Sequence, residues 1–123
     1  VAFARHLDQT REHLGRLERA YLSLKVHSTR VPCKAMKGLL EESEEMMKAD
    51  GDPAIKDAGL ISAAQRIEHY EMAGYGCART YAEVLGERDS AQMLQMTLDE
   101  ERSTDESLTE LAERLIHPEL VAV

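Results

Sequence analysis

Phe3, Leu7, Thr10, Leu14, Leu17, Tyr21 and Leu24 recur at alternating spacings of four and three, with Thr10 the polar member of an otherwise apolar and aromatic stripe. That is one face of an amphipathic helix, predicted over about residues 1–25. Ser28, Thr29 and Pro32 follow, a capping and helix-start combination that closes one helix and begins another. From Cys33 to Ala49, Met36, Leu39, Leu40, Met46 and Met47 keep a helical period until Asp50-Gly51-Asp52-Pro53 stops it. A third helix is predicted from Pro53 to about Leu85, with Ile61, Ala64, Glu68, Glu71, Tyr75, Ala78, Ala82 and Leu85 on one seam and Gly86 ending it. The fourth runs from about Asp89 to Ile116, before Pro118, with Leu94, Leu98, Glu101, Asp105, Leu108, Ala112 and Leu115 in a heptad-like stripe.

Three long helices and a shorter one joined by short connections imply an all-α bundle in a single domain covering residues 1–123, with the short helix as a crossover strap. Composition agrees: charged residues make up 31%, aromatics 4%, Trp is absent, and Ala, Leu, Glu and Met are abundant. A formal charge of −8 and a pI near 5.1 oppose binding to nucleic acid or to an anionic membrane, because both need clustered Lys and Arg. No stretch approaches the roughly 20 apolar residues of a membrane span. The two cysteines, Cys33 and Cys77, lack Cys-x-x-Cys spacing and read as small buried hydrophobes in a reducing, cytoplasmic protein. The chain opens on Val1-Ala2-Phe3, inside an apolar-periodic run with no cap before it, as though cut from a longer sequence.

The apolar seams of the third and fourth helices are interrupted at mid-length by carboxylates, Glu68 and Glu71 in one and Glu101 and Asp105 in the other. Spacings of three and four put each pair on one face, turned toward the core, where an uncompensated carboxylate is costly. On the first helix His6, Gln9 and His13 lie along one flank of Thr10. Carboxylates and a histidine projecting from facing helices form the arrangement that holds two iron or manganese ions in bundle proteins, and the cations would compensate the buried negative charge. The metal-ligand candidates are therefore His6, Gln9, His13, Glu68, Glu71, Glu101 and Asp105. Pairing of the glutamates with Arg66, Arg79 or Arg102, and of each histidine with a neighbouring carboxylate, are the structural alternatives. His69, about 100° round the helix from Glu68, is left outside the first ligand shell. Tyr75 continues the glutamate seam as a core tyrosine or a redox-active phenol.

Cys33-Lys34-Ala35-Met36-Lys37-Gly38-Leu39, followed by Leu60-Ile61-Ser62-Ala63-Ala64-Gln65-Arg66-Ile67-Glu68-His69-Tyr70-Glu71, resembles the YciE/YciF-type ferritin-like stress-response family. The resemblance extends through Tyr75-Gly76, Thr97-Leu98-Asp99-Glu100-Glu101 and Thr104-Asp105-Glu106-Ser107-Leu108, and back to His6-Leu7 and Thr10. It implies a rubrerythrin-like up-down four-helix bundle, homodimeric or of higher order, with a di-metal centre and a role in bacterial stress responses. It also implies a further long helix before residue 1 carrying an acidic ligand, which this chain lacks, and Glu where Gln9 stands. Two functions are expected to compete. One is a di-iron or di-manganese oxidoreductase acting on peroxide or ferrous iron. The other is a metal-free bundle that oligomerises or binds a protein partner, a reading that the neutral Gln9 and the missing helix favour.

Overall fold

The computed structural model describes residues 2–115. Among them are four helices and no strand: α1 (Ala2–Leu24), α2 (Lys34–Lys48), α3 (Pro53–Val84) and α4 (Arg88–Leu115). The expected ends of the first and last helices at Val1 and Ile116 lie outside the described residues.

Local chemistry sets these boundaries. The end of α1 is a left-handed cap: Lys25 has φ 54°, its amide donates to the Leu22 carbonyl at 3.1 Å, and the Val26 amide donates to Tyr21 at 3.2 Å. This paired 5→2 and 6→1 pattern normally uses glycine, and Gly86 supplies it after α3, with φ 77° and the Glu87 amide donating to Ala82 at 2.9 Å. Asp52 caps α3 by accepting from the Ala54 amide at 2.8 Å, with Pro53 at the first helical position, where no amide is needed. The cap of α2 is Cys33, whose sulfur accepts from the Met36 amide at 3.4 Å, so the helix expected over Cys33 to Ala49 begins one residue later, at Lys34.

The chain divides into two compact units, Val1–Val31 with Glu71–Arg102, and Pro32–Tyr70 with Ser103–Val123. In the first, α1 meets the C-terminal part of α3 and the N-terminal part of α4, burying Ala20, Ala82, Ala91 and Leu98 together with His13, Ser90, Thr97 and Glu101. Its inward line along α1 is His6, Gln9, His13, Arg16 and Ala20, not the apolar stripe. Phe3, Leu7 and Leu14 are 52%, 51% and 60% exposed, which corrects the expected core face of this helix. The reason is on the opposing helix: Thr97, Glu100 and Glu101 need donors and cations, and the polar line of α1 offers them. In the second unit α2 lies against the N-terminal part of α3. Met46 packs over Gly59, where an added Cβ would fall 2.5 Å from its sulfur, and Arg66 reaches Glu42 at 3.3 Å. Ile61, Ala63 and Leu108 are buried here with Glu68 and Thr104. Both cysteines are exposed, against the expectation of buried ones.

Candidate metal centre

The first unit gathers six ionisable side chains of α1, α3 and α4: His6, His13, Arg16, Glu71, Glu100 and Glu101. Glu101, on the inward stripe of α4, is 0% exposed, and a ring nitrogen of His6 and a carboxylate oxygen of Glu101 lie within 4.8 Å of one another. His13, two turns along the inward line from His6, is 2% exposed. Its Nε2 lies 2.7 Å from Glu100 Oε2, and its Nδ1 lies 2.9 Å from Glu101 Oε1. The second approach is an ion-pair contact rather than an aligned hydrogen bond. One turn further, Arg16 donates through Nη1 and Nη2 to the two oxygens of Glu100 at 2.7 and 2.8 Å, and through Nη1 to Thr97 Oγ1 at 3.2 Å. Tyr75, one turn after Glu71 on α3, sets its ring edge-on to His13 with centroids 6.3 Å apart.

These neighbours shift proton affinities in opposite directions. Burial holds the Glu71 carboxyl above the usual range and the charge of Glu101 raises it further, while His6 and His13 pull it down without cancelling the rise. Burial and the same two carboxylates push the Tyr75 phenol up to about 12. For His13, burial works toward the neutral ring, but Glu101 and Glu100 outweigh it and the imidazole is held above its ordinary value. Arg16, with His13 behind it, holds Glu100 below the carboxylate range.

The structure thus brings His6, His13, Glu71 and Glu101 together in one unit. Gln9, between the two histidines on the inward line of α1, buries its Oε1 with no hydrogen-bond partner among the described residues. That oxygen is a neutral donor, weaker than the carboxylate that the resemblance implies at this position, and it is the imidazole of His6 and the carboxylates of Glu71 and Glu101 that fit iron or manganese. The other two expected ligands fall in the second unit. Glu68 is 2% exposed there, three residues before Glu71 along the continuous α3. Asp105 accepts from Gln65 Nε2 at 3.2 Å and pairs with His69 Nε2 at 3.3 Å, so His69, set aside from the ligand shell, is an Asp105 partner. Sequence reasoning missed Arg16 and Glu100. The signal was available: Arg16 continues the three-four spacing of His6, Gln9 and His13, and Glu100 sits beside Glu101 in an acidic run.

An all-helical chain whose helix faces turn carboxylates and imidazoles inward at mid-length is of the ferritin-like class. Its fold matches the crystal structure of the Escherichia coli stress protein YciF with a TM-score of 0.91 and 41% identity, covering 94% of this chain and 73% of that one. The structure of YcfI from Rhodopseudomonas palustris, described as "a putative structural protein", matches with a TM-score of 0.83 and 32% identity, over 88% of this chain and 69% of that one. In sequence, Protein YciF of Escherichia coli (strain K12) is 44% identical over 114 residues, which is 90% of this chain and 68% of that protein. The chain belongs to the family described as Domain of unknown function (DUF892), which it matches over residues 1–121. No described helix is long and apolar enough to cross a membrane.

Proposed function

We propose that this chain is a cytoplasmic, ferritin-like stress-response protein whose carboxylates and imidazoles hold iron or manganese, two ions in the full centre, for a reaction on peroxide or ferrous iron. The observation that carries this reading is the complete burial of Glu101 in the same unit as Glu71, a second carboxylate whose proton affinity is raised by its own burial and further by the charge of Glu101. Two such groups are retained together only where a cation or a proton offsets their charge.

In this reading His6, Gln9, Glu71 and Glu101 supply the donors, all from the first unit. Asp105, committed to Gln65 and His69, is assigned outside the ligand shell. A bound redox metal supplies the electron exchange with peroxide or oxygen species that side chains alone do not perform. The chain's own part is to hold the donors in place, to keep water from Glu101, and to carry the Tyr75 phenol protonated beside them.

Elemental analysis of protein purified without chelators tests this directly. Iron or manganese in the wild type and its loss in Glu101→Gln are the expected results; no metal in either sinks the reading. A metal-free assembly protein is the second reading, favoured by the exposed α1 stripe of Phe3, Leu7 and Leu14 and by the likeness to YcfI. On either reading we assign that stripe to contact between copies of this chain. Leu7→Lys and Leu14→Lys should each dissociate the oligomer, and an unchanged sedimentation coefficient would remove the assignment.

A further inference from the structure

We infer that His13 is a positioning residue that fixes the Glu101 carboxylate, with Arg16 and Glu100 bracing it from behind. This rests on the metal reading given above and assigns His13 a different part in it from that of a ligand.

The geometry is a chain of contacts running inward. Arg16 grips both oxygens of Glu100 at 2.7 and 2.8 Å and is itself steadied by Thr97 Oγ1 at 3.2 Å. A two-point guanidinium–carboxylate contact fixes orientation as well as distance, and Arg keeps its charge at all working pH values. Glu100 Oε2 then lies 2.7 Å from His13 Nε2, and the remaining ring nitrogen lies 2.9 Å from Glu101 Oε1. With the Tyr75 edge against the ring, His13 is held in its plane from a third side.

Both nitrogens of His13 therefore face carboxylate oxygens. A ligating imidazole needs one nitrogen with its lone pair turned toward the ion, while the other donates to an orienting group. His13 has no such nitrogen to spare. The usual order, in which a carboxylate orients a ligating histidine, is reversed: here the histidine is braced by one carboxylate and orients another. His6, whose ring nitrogen comes within 4.8 Å of a Glu101 oxygen, is the imidazole of this unit placed to ligate.

Titration of the wild type, His13→Ala, His13→Asn, Arg16→Gln and Glu101→Gln with Co²⁺, followed by visible absorption and repeated with Mn²⁺ by calorimetry, separates the roles. For a positioning residue, His13→Ala weakens binding roughly 10–100-fold while the Co²⁺ band positions stay those of the wild type. His13→Asn, which returns a donor toward Glu101, recovers part of the loss, and Arg16→Gln falls between wild type and His13→Ala. If His13→Ala fails to fold, the same comparison is read from the His13→Asn and Arg16→Gln variants. Unchanged affinity in the His13 and Arg16 variants overturns the inference, and so do displaced bands, which would make His13 a ligand. A wild type that takes up neither ion overturns the metal reading itself, and is recognised because Glu101→Gln then behaves as the wild type does.

Discussion

Replacing Glu101 by Gln keeps the side chain's size and removes one buried charge, and the contacts around that carboxylate set the scale of the response. At 2.9 Å from His13 Nδ1, the lost attraction is about 5–6 kcal/mol gross for an effective dielectric near 20. Against it stand two gains. A fully buried carboxylate no longer has to be desolvated, a penalty of several kcal/mol per ion, and the push on Glu71 disappears. His13 is not stranded, because Glu100 still faces its other nitrogen at 2.7 Å. The large loss of about 3–5 kcal/mol seen when a buried pair is broken and its partner left alone should therefore not occur. We expect metal-free Glu101→Gln to lie within about 2 kcal/mol of the wild type, or about 8 °C in Tm for a chain of this size. The metal-loaded comparison behaves differently. At about 100 times Kd, an ion that binds only the folded state adds about 2.7 kcal/mol, or roughly 10 °C, to the wild type, and this increment should vanish in the variant. Thermal unfolding followed by circular dichroism, with and without Mn²⁺, measures both numbers. A metal-free loss above about 4 kcal/mol would make Glu101 a structural anchor, and a Mn²⁺ increment that survives the substitution would place the ion elsewhere.

Other contacts lead to three further outcomes. The raised His13 value gives stability that is present below about pH 6.5 and is lost as pH rises through the folded value, while the lowered Glu100 value gives stability that is present above about pH 4.3 and is lost as pH falls. Urea midpoints of the metal-free protein should accordingly fall on both sides of an optimum near pH 5–6, and Arg16→Gln should blunt the acid limb; a flat profile would refute this. Gly59→Ala would set a Cβ 2.5 Å from Met46 Sδ and 2.9 Å from its Cε, so the methionine must swing off α3. Those atoms are the far end of a flexible side chain, so the cost only offsets the helix-propensity gain of about 1 kcal/mol and the change should be near neutral, whereas in a Met46→Ala background the same change should stabilise; equal urea midpoint shifts in the two backgrounds would contradict the contact. Cys33, lowered by the Tyr70 hydroxyl at 2.9 Å and the Met36 amide, should react with iodoacetamide at neutral pH faster than Cys77, and Tyr70→Phe should slow it; equal rates by mass spectrometry would remove the assigned effect.

The third and fourth helices were legible because the stripes read from spacing include buried positions, Ile61, Glu68 and Ala82 on α3 and Leu98, Glu101 and Leu108 on α4, so one periodicity located both the core face and the acidic residues, while the buried Ser90, Thr97 and Thr104 lay beside it. The same logic failed on α1. There the apolar stripe is the conspicuous one, and Phe3, Leu7 and Leu14 stay exposed while His6, Gln9, His13 and Arg16 turn inward. Hydrophobic period finds a buried face only where burial is driven by apolar area, and the inward face of α1 is selected by the donors that Thr97, Glu100 and Glu101 require. Cys33 escaped notice for a related reason. A sulfur cap lies outside the Ser, Thr, Asp and Asn signals from which helix starts are read, so Ser28, Thr29 and Pro32 marked the break and Cys33 was counted as the first residue of the helix instead of its cap.

Glu100 and Glu101 stand about 100° apart on one helix, and that rotation divides their work. Glu100, at the outer side, is matched by Arg16, while Glu101 turns fully inward toward His13 and the side of Glu71. Arg16 and a protonated His13 offset two of the three carboxylates in this unit's network. The third charge falls on Glu71, whose affinity for a proton is raised even with His6 and His13 acting to lower it. A bare site therefore keeps a proton on Glu71 into the range where exposed glutamates are ionised, and a cation entering the same space must displace it. The metal and metal-free readings are consequently two ways of satisfying one electrostatic demand. They separate on pH dependence: uptake of an ion at Glu71 and Glu101 competes with the proton that Glu71 holds more tightly than an exposed glutamate and so strengthens as pH rises, whereas a purely structural bundle takes up no ion at any pH.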